Sequence, residues 1–266
     1  MTQHDLKTLL DGAVTLSKQA GERIMTIYNQ DFSIVRKDDN SPLTEADMAA
    51  HAVIDDGLEV LAPEYPLLSE ESASIAFEDR ASWEYYWLVD PLDGTREFIK
   101  HNGEFTVNIA LIHEHRAILG VVYAPALALC YYAAQGLGAF KQEADNPPVP
   151  IHVQSHRRDK LIVAGSRSHR GESLDRFLEK LGDYELLSMG SALKSCLVAE
   201  GAADIYPRLG LTSEWDTAAA HCIVTEAGGR LTNTQMQDLP YNTKESLLNP
   251  HFFVFGDNSV NWSEYL

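Results

Sequence analysis

Asp90-Pro91-Leu92-Asp93-Gly94-Thr95 decides how the rest of this chain is read. The three apolar residues before it, Trp87-Leu88-Val89, predict a short buried strand that ends at Asp90. Pro91 has no amide to give a neighbouring strand, and Asp-Gly calls for a turn. Two carboxylates flanking such a turn can converge on one point, with the Leu92 carbonyl between them. A plain β-turn followed by a helix cap would use the same residue types. Two acids at the end of a buried strand are nevertheless costly unless something compensates their charge.

Upstream, Leu6, Leu9, Leu10, Ala13, Leu16, Ala20, Ile24 and Ile27 recur at helical spacing and predict a helix over 3–29. A second helix is expected from Thr44 to about Leu61. Downstream, 105–113, 116–123 and 127–133 read as consecutive strands of an antiparallel meander. The run from Ala117 to Ala134 carries no charged side chain and is long enough to raise the question of a membrane span. Pro125 interrupts it, and Val, Tyr and Ile dominate, so two buried strands joined at Ala124-Pro125 are expected. Gln142 to Pro150 is polar and then proline-rich, the best boundary in the chain. Beyond it, strands are expected at 161–165, 184–188, 203–206 and 252–255, and helices at 172–181, 191–200 and 216–227. The expected organisation is an α+β part over residues 1–145 and an α/β part over 146–266, with a ligand site between them.

The chain has 266 residues, 39 acidic and 21 basic side chains, and a net charge of −18. That balance argues against nucleic acid polymers and anionic membranes, which are bound through surplus Lys and Arg. It leaves room for a small phosphorylated ligand, because a metal ion can reverse the local charge of an acidic pocket. Three scattered cysteines suit a reducing cytoplasm. The start of the chain lacks the basic-then-apolar pattern of a secretory leader, so a cytoplasmic protein without an integral membrane segment is expected.

Three further acidic stretches accompany the first. Ser69-Glu70-Glu71-Ser72 follows two leucines and, alone, reads as a solvated loop. Pro42-Leu43-Thr44-Glu45-Ala46-Asp47 reads as a capping-box helix start. Glu214-Trp215-Asp216-Thr217-Ala218-Ala219-Ala220 places Asp216 as the N-cap of an alanine-rich helix. There is no His/Cys cluster at zinc-like spacing, so a hard ion with oxygen ligands, such as Mg²⁺, is favoured.

Taken together, DPLDGT and the downstream WDTAA resemble the lithium-sensitive, magnesium-dependent phosphatase superfamily. That group includes inositol monophosphatases, fructose-1,6-bisphosphatases and bisphosphate nucleotidases. The resemblance runs from about Pro42 to Pro250. It implies a layered αβαβα sandwich and two or three Mg²⁺ ions. It also implies Glu70, Asp90, Asp93 and Asp216 as metal ligands, joined by the Leu92 carbonyl. Asp47 and Thr95 match the pair that orients and activates the attacking water, with Glu70 beside them. Glu71 matches a position that reaches a third ion or supports the ligands from behind. Inhibition by Li⁺ is implied by the resemblance alone.

Within the superfamily, Thr95-Arg96-Glu97-Phe98-Ile99-Lys100 and Asn102 to Ile112 look like the CysQ-type 3'(2'),5'-bisphosphate nucleotidases rather than inositol phosphatases. Pro240-Tyr241-Asn242 and Lys244 to Pro250 resemble the same branch. Ser191 is expected to cap a helix whose N-terminus attracts phosphate, with Lys194 one turn in and Arg208 ending a strand. The resemblance makes Gly94, Thr95, His169, Ser191, Lys194, Arg208 and Asp216 substrate contacts. It implies removal of the 3'-phosphate of 3'-phosphoadenosine 5'-phosphate, a step of sulfur metabolism, by a monomer or homodimer. An inositol or sugar monophosphatase, or a non-catalytic regulatory member, would share the scaffold. One departure is Ala220, where the usual run WDTAAG has glycine. Its methyl adds helix propensity and bears on substrate fit rather than on the ligands.

Overall fold

A computed structural model of the chain describes residues 2–29, 34–36, 42–156, 158–165 and 171–266. In chain order the first half holds α1 (Gln3–Tyr28), β1 (Ile34–Arg36), β2 (Pro42–Thr44), α2 (Glu45–Leu61), β3 (Leu67–Ser69), α3 (Phe77–Arg80), β4 (Tyr85–Asp93), α4 (Thr95–Ile99), β5 (Thr106–His113), β6 (Arg116–Ala124), β7 (Leu129–Ala134), β8 (Gly138–Glu143) and β9 (Val149–Pro150). The second half holds β10 (Leu161–Gly165), α5 (Glu172–Leu181), β11 (Tyr184–Ser188), α6 (Leu193–Ala199), β12 (Ile205–Arg208), α7 (Glu214–Glu226), β13 (Arg230–Asn233) and β14 (Phe252–Phe255).

β3 to β9 form one sheet in sequence order, parallel only between β3 and β4. Its strands alternate between two buried faces, so they read as continuous apolar runs. Trp87, Val89, Ile109 and Leu111 face α1 and α2. Tyr86, Leu88, Ala110 and Val122 face α6 and α7. Behind α6 and α7 lies the second sheet, in the order β11-β10-β12-β14-β13, with β14 antiparallel to both its neighbours. α5 and the C-terminal 3-10 turn cover its outer face through Phe177, Phe253, Phe255 and Trp262. The layers run helix, sheet, helix, sheet, helix, an αβαβα sandwich. We propose a division of the chain near residue 145, in the turn between β8 and β9, with α6 and α7 bridging the sheets.

Helix α7 lies directly on β6. A side chain at Gly120 would run into the Ala219 carbonyl, so glycine is what lets the helix approach so closely. Ala220 is buried in the same core.

Two differences from the expected elements have physical causes. β4 does not end at Asp90 but continues to Asp93. Asp90 pairs with Asn108 and Asp93 with Thr106, so β4 carries one extra residue opposite β5. Pro91 sits in that bulge, where the ladder asks nothing of it. The proline stretch before Pro150 is not a bare linker, since Val149–Pro150 pairs with β8 as an edge strand. The apolar run from Ala117 holds two strands as expected, joined by a 3-10 turn at Pro125–Leu127. Among the described residues no helix is long and apolar enough to cross a membrane.

Candidate active site

The bulge in β4 sets the geometry of the acidic cluster. The Leu92 amide donates to Asp90 Oδ1 at 3.1 Å, which folds the chain back on itself. Gly94 follows at φ 94°, a left-handed conformation that suits glycine, and α4 begins at Thr95. The Thr95 hydroxyl points to the Leu92 carbonyl at 3.5 Å. Asp93 accepts a bond from the Ala192 amide across the cleft. Asp216 comes from the front of α7, and its carboxylate closes the group. Oxygen atoms of Asp90, Asp93 and Asp216 lie within 4.8 Å of one another.

Asp216 is not the N-cap. Ser213 takes that place, and Asp216 is the third helical residue of a capping box, accepting the Ser213 amide at 2.8 Å. The helix therefore starts at Glu214, two residues before the expected start at Asp216, and the acid reaches back to the cap.

Burial and mutual repulsion dominate the electrostatics. Burial lifts the Asp90 carboxyl well above its usual range, and Glu70, Asp93, Asp216 and Asp47 lift it further. Asp93 is pushed up to about 6, chiefly by burial and against the pull of Lys194. Asp216 is pushed up to about 7 by burial and then by Asp93. Asp47 lies fully buried in the first turn of α2. Glu70 and Glu71 begin the 3-10 turn after β3, with Ser69 as its N-cap. The Thr44 side chain lies outside the described part of the structure, and so does the cap expected of it. Three converging carboxylates under this strain, with no sulfur or imidazole among them, fit a hard divalent cation.

The opposite wall carries positive charge. A cleft is lined by Asp93 and Asp216 and by Ser191, Lys194, Tyr206 and Arg208. Lys194 is buried, donates to the Ser191 carbonyl at 2.7 Å and lies 5.4 Å from the centre of the Tyr206 ring. Burial pulls its ammonium down to about 8, Asp93 pulls it up, and Arg208 pulls it down again. Arg208, at the end of β12, donates to the Leu211 carbonyl at 2.9 Å.

Ser191 does not cap α6. Ala192 is the cap position and α6 starts at Leu193. The Ser191 hydroxyl instead donates to the Glu104 carbonyl at 3.1 Å and receives the Thr106 hydroxyl at 3.2 Å. It pins the cleft wall to β5, which a helix cap could not do. Residues 166–170, including His169, lie outside the described residues.

Sequence reasoning missed several residues here. Glu97, on α4, lines the cleft beside Lys194. Glu214, just ahead of Asp216, is buried and accepts the Asn242 amide at 2.7 Å. The Asn242 side chain in turn bonds the buried Arg80, accepting from its guanidinium and donating to its carbonyl at 2.6 Å. Asn249 reaches the Ser213 carbonyl at 2.6 Å and the Thr217 hydroxyl at 3.1 Å. Residues 242–249 thus brace the end of α7 that presents Asp216. The only sequence signal was their likeness to a nucleotidase branch, which gave no partner.

The profile described as "Inositol monophosphatase family" matches residues 5–256. The 3'(2'),5'-bisphosphate nucleotidase CysQ of Salmonella typhimurium is 49% identical over 248 residues, 92% of this chain and 99% of that protein. The CysQ protein of Escherichia coli K12 gives the same identity and coverage. Among solved structures, CysQ from Bacteroides thetaiotaomicron, described as a bacterial member of the inositol monophosphatase family, superposes with a TM-score of 0.82. It is 40% identical, over 94% of this chain and 97% of that one.

Proposed function

The chain belongs to the inositol monophosphatase family, and from that premise we propose that it is a metal-dependent 3'(2'),5'-bisphosphate nucleotidase. Its substrate on this reading is 3'-phosphoadenosine 5'-phosphate and its products are AMP and phosphate. One observation carries the choice of substrate class. A single cleft is lined by Lys194 and Arg208 and by Asp93 and Asp216, two of the three carboxylates that converge with Asp90. A ligand with one phosphate to cleave and a second to anchor satisfies both walls.

Glu70, Asp90, Asp93, Asp216 and the Leu92 carbonyl would hold the metal, Mg²⁺ by the character of the donors. Two or three such ions would neutralise the phosphoryl oxygens, lower the pKa of a nearby water and stabilise the departing oxygen. The protein's own groups do the rest. Thr95, at the start of α4, and Asp47, on α2, orient the attacking water and take its proton. Glu70 stands beside them, and Glu71 supports the ligands from the same turn. Water attacks phosphorus, the bond to the 3'-oxygen breaks, and that oxygen takes up a proton from solvent water to become the 3'-hydroxyl. Lys194 and Arg208 hold the phosphate that is retained, with Ser191 and Gly94 shaping the wall between. A second anion would also restore the full charge of Lys194, which burial weakens. The three cysteines are all buried and unpaired, in keeping with a cytoplasmic setting.

The test is the product. Chromatography of the reaction should show 5'-AMP with Mg²⁺ and no turnover with EDTA. Release of the 5'-phosphate instead would reverse the assigned roles of the two walls.

A further inference from the structure

Glu70 and Glu71 stand on different support from the other acids. Asp90 and Asp93 lie at the C-terminal end of β4, a nine-residue strand, and pair there with Asn108 and Thr106 of β5. The two glutamates follow β3, a three-residue edge strand paired only with β4. Short edge elements open at little cost in free energy. A carboxylate that must sit within a fraction of an ångström of its place needs a firmer tie.

Ser69 supplies one. It is fully buried, and its hydroxyl oxygen accepts the Glu71 amide at 3.4 Å as the N-cap of the 3-10 turn. The same oxygen lies 3.1 Å from His51 Nδ1. With the oxygen accepting from Glu71, the hydroxyl proton is free to go to His51. Hydroxyl and ring nitrogen thus share one hydrogen bond. His51 lies on α2 four residues after Asp47, which places the two on one face of that helix. A single line of bonds therefore runs from the helix of Asp47, through His51 and Ser69, to the backbone of Glu71.

We propose that His51 is a positioning residue: through Ser69 it fixes the Glu70–Glu71 turn against the helix that carries Asp47, and so sets the affinity of the site for its divalent ion. The proposal rests on the metal reading above. His51 acts through Ser69, not on the reacting atoms.

The experiment is calorimetric titration of Mg²⁺ into the whole protein and its variants, with thermal unfolding in EDTA as the check on folding. His51→Ala and Ser69→Ala should each weaken Mg²⁺ binding by about tenfold, the usual cost of losing a group that orients a ligand. The double variant should be no weaker than either single one. His51→Asn, whose side-chain oxygen falls near the position of Nδ1, should restore most of the affinity. In kinetics, the Mg²⁺ concentration for half-maximal rate should rise while kcat at saturating Mg²⁺ changes little. Unchanged Mg²⁺ binding in His51→Ala would overturn the proposal, as would additive losses in the double variant or an Asn variant as weak as Ala. Failure of the wild-type protein to bind Mg²⁺ would instead remove the metal reading itself.

Discussion

The Ser213 amide donates to Asp216 Oδ2 at 2.8 Å, so one carboxylate both closes the capping box of α7 and completes the acidic cluster. The two roles separate by substitution. Asp216→Asn keeps an acceptor for the cap and removes a buried negative charge from the cluster. Scanned in EDTA at pH 8, this variant should unfold at a higher temperature than the wild type, yet gain nothing from Mg²⁺. Asp216→Ala loses the cap as well, at a cost of about 1 kcal/mol, and should unfold below Asp216→Asn. If Mg²⁺ stabilises Asp216→Asn as much as the wild type, Asp216 is not a ligand.

The raised carboxyls give the metal-free protein a pH dependence with a definite sign. Asp93 and Asp216 sit near 6 and 7 in the fold, against an ordinary 3.8. The protonated forms are favoured in the folded state. Their contribution to stability is therefore full below about pH 4 and is lost as pH rises through 6 and 7. Between pH 5 and pH 8 the unfolding temperature in EDTA should fall. Mg²⁺ binds the ionised form, so its stabilising effect should grow over the same interval, with proton release detectable by calorimetry in buffers of different ionisation heat.

Much of this architecture is legible in the chain, and the limits have physical causes. α1, α2 and the meander announce themselves by long periodic runs. β3 and β13, of three and four residues, are too short to show a period. Pro91 reads as a strand terminator because the bulge that accommodates it depends on β5, which is not local. The acids of the site stand out by type and resemblance. Convergence of Asp90 with Asp216 is a property of packing, since one lies at the bulge of a strand and the other opens a helix on a different layer. The roles of Arg80, Asn242 and His51 are invisible for the same reason. Each acts on a partner chosen by tertiary structure, and each looks locally like an ordinary polar residue.

Lys194 and Arg208 should govern the choice of substrate. Lys194→Met keeps the buried volume and removes the charge, and Arg208→Ala removes the other cation. A bond to a charged group contributes about 1.5–3 kcal/mol. Steady-state kinetics should show KM for the bisphosphate nucleotide rising by about tenfold to a hundredfold in each variant, with little change for inositol 1-phosphate. An equal effect on both substrates would place the two cations outside the binding wall.

Asn242 holds two buried charges at once, the carboxylate of Glu214 and the guanidinium of Arg80. Asn242→Ala leaves Arg80 short of a partner in the interior. Denaturant unfolding should show a loss of about 3 kcal/mol. Because this brace holds the start of α7, Mg²⁺ affinity should fall along with stability. A loss near zero would show that water replaces the side chain.

The proposed division of charge would let a chain of net charge −18 take a doubly phosphorylated ligand. On the proposed reading a metal would offset the acids of one wall, and the other wall carries Lys194 and Arg208. AMP binding, followed by calorimetry, should therefore collapse when EDTA replaces Mg²⁺. Retained affinity in EDTA would mean that Lys194 and Arg208 suffice alone.

The most direct measurement is the ratio of kcat/KM for 3'-phosphoadenosine 5'-phosphate to that for inositol 1-phosphate, taken with the wild-type enzyme in Mg²⁺. Two charge-assisted contacts to the retained phosphate predict a ratio of at least about a hundred in favour of the nucleotide. A ratio of one or below would contradict the account.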